Sequence, residues 1–206
     1  MVRVLPALLL VALALPAAAQ PLPRVKGKIV DFDGLTFHLK PEKGATLAIR
    51  LQAGTQFMTL RKQPFSALKA GAYAGATVTD ADGTLTAEEV HLYPEPMRGS
   101  SEGRIGLDGG RFVITGTVKA AASGSLTLSY RGAALTDGVC LGRADPKAAS
   151  PVCTADAVIQ VPAEARIDAL TPTDRRQLVP GATATVTIQT DARGARSTPG
   201  MILEKP

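Results

Sequence analysis

Apolar positions in the first third of the chain recur every second residue, as in Leu35-x-Phe37-x-Leu39 and Leu47-x-Ile49-x-Leu51. That period belongs to a strand with one face on a core, not to a helix. Asp33-Gly34 and Asp82-Gly83 supply residues that tolerate the positive φ of tight hairpin turns. The pattern predicts five strands, at about 25–32, 35–40, 46–52, 72–80 and 84–93. Between the third and fourth, Pro64 to Gly71 reads as one helical turn, with Ser66 as its cap and Gly71 as its end. Three strands, a short helical turn and a two-strand hairpin is the order of a small five-stranded Greek-key barrel of the OB kind.

The same pattern returns further on. Sliding the chain by 110 residues aligns 47–79 with 157–189 without a gap, and 8 of the 33 positions are identical, among them Ile49/Ile159, Leu60/Leu170, Leu68/Leu178, Gly71/Gly181 and Ala74/Ala184. Upstream, Gly27-Lys28-Ile29 matches Gly116-Thr117-Val118. These are apolar and glycine positions, which set cores and turns. The second copy predicts strands near 112–121, 125–131, 157–162, 182–190 and 196–204, with 134–156 inserted between its second and third. The expected architecture is therefore all-β, with two tandem five-stranded OB-like barrels, each carrying one short helical turn between its third and fourth strands. Repeat 1 covers 20–93, a turn-rich linker 94–111, and repeat 2 112–206.

Residues 1–19 break the pattern. Arg3 precedes an almost wholly apolar run from Val4 to Leu15, and Ala17-Ala18-Ala19 offers the small residues a signal peptidase needs, so the segment reads as a secretion signal cut before Gln20. The run is too short to span a bilayer and is broken by Pro6 and Pro16. Every later apolar run is interrupted by charge, Gly or Pro, so no membrane span is expected. Export places the chain in the periplasm or the medium, where Cys140 and Cys153, the only two cysteines, are expected to be bonded.

Charge changes little. Removing the signal removes only Arg3, leaving 22 basic side chains against 18 acidic, scattered without a long run. Nucleic acid is not an expected partner: single-strand binding by OB barrels needs aromatic platforms, while Phe37 and Phe57 fall at core positions and the second copy is nearly bare of aromatics.

Chemistry-bearing residues are few. Gly99-Ser100-Ser101-Glu102-Gly103 fits the G-x-S-x-G nucleophile pattern, but it lies between β units with no helix to follow, so no catalytic constellation and no cofactor site is predicted. His38 and His91, the only imidazoles, fall out of phase with their strands' apolar residues and should face outward. Glu89, His91 and Tyr93 share a face with Glu95 and Glu102 just beyond; Glu89, His91 and Glu102 are the candidate metal ligands. Asp31-Phe32-Asp33-Gly34 and Asp80-Ala81-Asp82-Gly83 lack the further oxygens of a calcium loop and read as turns.

The order Leu68-x-x-Gly71, Asp82-Gly83-x-Leu85-x-Ala87-x-x-Val90, then Tyr93-Pro94-Glu95-x-Met97-Arg98-Gly99-x-x-Glu102-Gly103 resembles exported proteobacterial proteins of unknown function with tandem OB-like repeats. In those proteins the linker runs on into a His and a Trp-Asp pair, whereas Arg104 follows here and the chain has no Trp. Some of them carry a metal-transporter permease label, which the lack of spanning segments argues against in this chain. The resemblance implies architecture and compartment, not an activity. The expectation is a non-catalytic exported binding or scaffolding module of the bacterial envelope, with an envelope protein or glycan as partner and Tyr93, Met97, Arg98 and Glu102 as its contact. The alternative is a metal-binding or metal-handling envelope protein.

Overall fold

The computed structural model describes residues 23–204 apart from Ala149. The expected signal segment and its expected cut before Gln20 lie outside these. The chain is all-β. In chain order the strands are β1 (Arg24–Phe32), β2 (Thr36–Pro41), β3 (Leu47–Lys62), β4 (Tyr73–Ala81), β5 (Thr84–Tyr93), β6 (Gly103–Gly106) and β7 (Arg111–Ala122). Then follow β8 (Ser125–Gly132), β9 (Ala134–Thr136), β10 (Val139–Arg143), β11 (Cys153–Gln160), β12 (Arg166–Pro172), β13 (Thr183–Thr190) and β14 (Arg196–Glu204).

Asp33 makes its hairpin turn as the sequence suggests, its carboxylate accepting from the N–H groups of Leu35 and Thr36 at 2.8 and 2.7 Å. Asp82 takes φ +50° in the next one, where Asp80 accepts from the Gly83 N–H at 3.0 Å. The helical turn after β3 is a 3-10 turn, Phe65–Ala67, entered from Pro64 without a side-chain cap, so Ser66 does not cap it. Gly71 ends the segment at φ +86°.

Pairing closes a five-strand barrel. β1 pairs with β2, β2 with β3, β3 in parallel with β14, β14 with β13, and β13 returns to β1. The remaining pairings also run full circle, from β7 through β8, β11, β5 and β4 back to β7, with β11 and β5 parallel. Each circuit encloses its own core. Ile29, Phe37, Leu39, Ile49, Ala184 and Val186 pack in the first, and Ala76, Val90, Ile114, Leu126, Leu128 and Ile159 in the second.

These pairings correct one expectation. Neither circuit is drawn from a single half of the chain, because the β4–β5 hairpin completes the circuit of β7, β8 and β11, while β13–β14 completes that of β1, β2 and β3. The apolar residue of each connecting turn goes with its hairpin, Leu68 into the second core and Leu178 into the first. The physical cause lies in β3. It does not stop near residue 52 but runs to Lys62, and its tail pairs with β12, which in turn pairs in parallel with β5. The chain is thus delivered to the far circuit before it turns. β12 exists only through these partners in both circuits, so no local pattern announced it.

The expected disulfide is present. Cys140 on β10 and Cys153 at the start of β11 are bonded with 5.7 Å between their Cα atoms, and Cys140 is buried. The Tyr130 hydroxyl donates to the Cys140 carbonyl at 3.0 Å, tying the β9–β10 hairpin to β8. Closing a loop of this length is worth about 3 kcal/mol in the chain-entropy model. Reduction is therefore expected to speed amide exchange in 134–153 while the β1, β2, β3, β13, β14 circuit keeps its protection. Loss of protection in both circuits together would contradict this.

Candidate functional site: a cavity between the strand circuits

Alternation along the strands decides what each circuit shows to the other. On β4, Ala74, Ala76 and Val78 enter the core, which leaves Gly75 and Thr77 on the outer face. On β5, Val90 and Leu92 point in and Glu89, His91 and Tyr93 point out. Across from them, Ala184 and Val186 of β13 point into the first core, so Thr185 and Thr187 face outward. Phe57 of β3 does the same for Gln56 and Met58. The two outer faces meet around a cavity of about 230 Å³. Arg24 of β1, Val113 of β7 and Leu170 of β12 complete its walls, and Met97 and Ser101 of the linker lie against it.

Both histidines point away from the strand circuits' cores, as the sequence suggests, but only one reaches the surface. His38 is well exposed and its Nδ1 lies 2.6 Å from Asp31. His91 faces the cavity with its side chain 20% exposed; its Nε2 is buried without a hydrogen-bond partner and lies 3.8 Å from the Glu89 carboxylate. Burial holds the His91 pKa below its ordinary value, against the pull of Glu89 and Asp168 and with the help of Arg166 and Arg24. Asp168 stands opposite His91 in the strand register, buried and paired with Arg166. Burial also pushes the Tyr93 phenol up.

The His91 shift has a testable consequence. The unfolded chain protonates this imidazole near pH 6.5, the folded chain only at lower pH. In that window the unfolded state holds more protons, so stability falls as the pH falls. His91→Gln is expected to flatten the decline of Tm between about pH 7 and pH 5. The carboxylates held low by their partners, such as Asp33 and Asp156, act below this window. An unchanged slope in the variant would contradict the assignment.

The structure gathers only part of the predicted cluster. Glu89, His91, Tyr93 and Met97 line the cavity. Glu102 does not join them. It is buried, and its carboxylate accepts from the Arg131 guanidinium at 2.9 and 2.6 Å and from the Arg131 backbone N–H at 3.0 Å. Among the described residues no three His, Cys, Asp or Glu side chains converge as a metal site would require.

Arg98 is likewise committed. Its guanidinium donates to Glu95 at 2.5 and 2.9 Å, to the Gly71 carbonyl at 2.8 Å and to Thr117 at 3.0 Å, and it lies 5.5 Å from the Tyr73 ring centroid. Arg98 and Glu102 do not pair with each other. Instead Arg98 pins the linker to the second circuit, which holds Met97 against the cavity. Ser101, the central residue of the G-x-S-x-G pattern, lines the cavity but makes no bond with His91, and β6 rather than a helix follows it.

Arg24, Gln56, Met58, Thr185 and Thr187 were not singled out by the sequence. Each is an outward residue on an alternating strand, and nothing local tells such a position that a second circuit will cover it. Among the described residues no helix is long and apolar enough to cross a membrane. The chain matches no family model, no curated protein and no solved structure.

Proposed function

We propose that this protein is a non-catalytic, exported ligand-binding module of the bacterial envelope, and that its ligand occupies the cavity between the two strand circuits. The observation that carries the reading is the cavity itself: a cleft of about 230 Å³ with an apolar part and a few convergent polar groups, one of them the His91 Nε2, which has no hydrogen-bond partner. The disulfide fits an oxidising compartment. The linker serves as the wall that carries Met97, rather than as a free recognition loop.

The same reading includes an origin for the cavity. The two halves are diverged copies of one OB-like unit that exchange their last two strands. Leu60 and its counterpart Leu170 lie directly opposite each other in the β3–β12 pairing. Met58 lies opposite Pro172, the counterpart of Lys62, and Lys62 opposite Asp168, the counterpart of Met58. That reciprocity is what a twofold relation between copies demands. Thr77 and Thr187, and Gly75 and Thr185, are counterparts too, and all four line the cavity.

Equilibrium dialysis against the small-molecule extract of an envelope fraction, read by mass spectrometry, tests the binding claim. Wild-type protein should retain one or a few compounds that Val113→Trp, which fills the cavity from β7, no longer retains at unchanged Tm. Identical retention by the two proteins would overturn the reading.

A further inference from the structure

Related by the twofold, the cavity's two walls should be chemically alike. They are not. Where β1 and β5 contribute Arg24, Glu89 and His91, the counterpart of Arg24 on β7 is Val113, and on β14 Gly200 and Ile202 stand opposite Thr187 and Thr185 as Glu89 and His91 stand opposite Thr77 and Gly75. All the ionisable groups of the pair therefore come from one copy. The circuit exchange sets them on opposite walls, because β1 belongs to the first circuit and β5 to the second.

Their partners inside the protein are incomplete. The Arg24 guanidinium makes no hydrogen bond or ion pair among the described residues, yet its charge is felt by both His91 and Tyr93. Glu89 accepts only from the Thr77 hydroxyl, at 3.2 Å, and stands 3.8 Å from an imidazole. A cation and a carboxylate on facing walls of one small space leave room for a guest carrying the opposite pair. The apolar part of the remaining lining comes from Met58, Met97, Val113 and Leu170.

We infer that the cavity takes a small zwitterion with an apolar body, of the α-amino acid type, its carboxylate on Arg24, its ammonium on Glu89 and its side chain among Met58, Met97 and Leu170. A bidentate guanidinium–carboxylate contact fixes one end. His91 Nε2 supplies a further hydrogen-bonding position between the two. A guest with a single charge would engage only one of the two, Arg24 or Glu89, and so gain only one of the two charge-assisted contacts.

This inference rests on the cavity being the binding site, and its test separates the two claims. Titration calorimetry would compare L-leucine with 4-methylpentanoate, which lacks the amine, and with 3-methylbutylamine, which lacks the carboxylate. Leucine should bind at least about tenfold more tightly than either, a difference of about 1.4 kcal/mol. Arg24→Gln should bring leucine down to the level of the amine, and Glu89→Gln to the level of the acid, with Tm within the range of exposed substitutions. Equal binding of a singly charged analogue, or leucine binding indifferent to both substitutions, overturns the zwitterion. If leucine does not bind while dialysis still shows compounds lost in Val113→Trp, the inference falls and the cavity reading stands. If Val113→Trp retains what wild type retains, the reading falls as well.

Discussion

Replacing Gly116 by alanine is expected to destabilise the protein by about 3 kcal/mol or more. A Cβ at this position would stand 2.2 Å from the Ser129 carbonyl oxygen and 2.9 Å from both the Ser129 carbonyl carbon and the Tyr130 Cβ. Two of these atoms are β8 backbone, held by pairing to β7 on one side and β11 on the other, so no side chain can swing away to make room. Gly27 is placed alike, 2.5 Å from the Lys40 carbonyl oxygen of β2. Glycine at these two positions lets the first strand of each circuit cross its neighbour closely at the bend. Urea unfolding midpoints check the expectation. A loss of less than about 1 kcal/mol for Gly116→Ala would show that the strands are not packed so tightly there.

The second large effect is expected at Glu102. β7 pairs with β8 only as far as Ser129, so the Arg131 N–H has no strand partner on that side; the Glu102 carboxylate takes its place and also neutralises the Arg131 guanidinium. Glu102→Ala leaves both without an acceptor. Breaking a fully buried pair costs about 3–5 kcal/mol, but the Arg131 side chain is about one-third exposed, so the expected loss is about 2 kcal/mol. Glu102→Gln keeps one acceptor oxygen and should lose about half as much. Thermal and urea unfolding measure both. If the alanine variant is as stable as wild type, the residue is free for the ligand role that the sequence suggested.

Much of the fold was legible because alternation is a local property. The strands predicted from period two and Asp-Gly turns match β1, β2, β4, β5, β7, β8, β13 and β14 within one or two residues. Which hairpin completes which circuit was not legible, and the reason is that the two halves of the chain offer equivalent residues. Ala74 and Ala184, or Leu68 and Leu178, offer the same side chain to either core, so self-contained and exchanged pairings satisfy the same pattern. The choice falls to the long β3 and its pairing with β12, and these contacts reach across more than 100 residues. The site was half legible for the same reason. Glu89, His91 and Tyr93 share a face by simple alternation, whereas Arg24 and Met58 join them only once the circuits are interleaved. Glu102 was misplaced because its partner lies on β8, and sequence spacing carries no signal of that pair.

The cavity, and the binding proposed for it, depend on which hairpin joins which strand circuit, and cross-strand NMR contacts test that most directly. The structure pairs Gly27 with Ala184 and Gly116 with Ala74. Two self-contained barrels would pair the counterparts instead, Gly27 with Ala74 and Gly116 with Ala184. Backbone nuclear Overhauser effects linking Gly27 to Ala184 and Gly116 to Ala74 are the predicted result. Contacts from Gly27 to Ala74 and from Gly116 to Ala184 would contradict the exchange and dissolve the cavity with it.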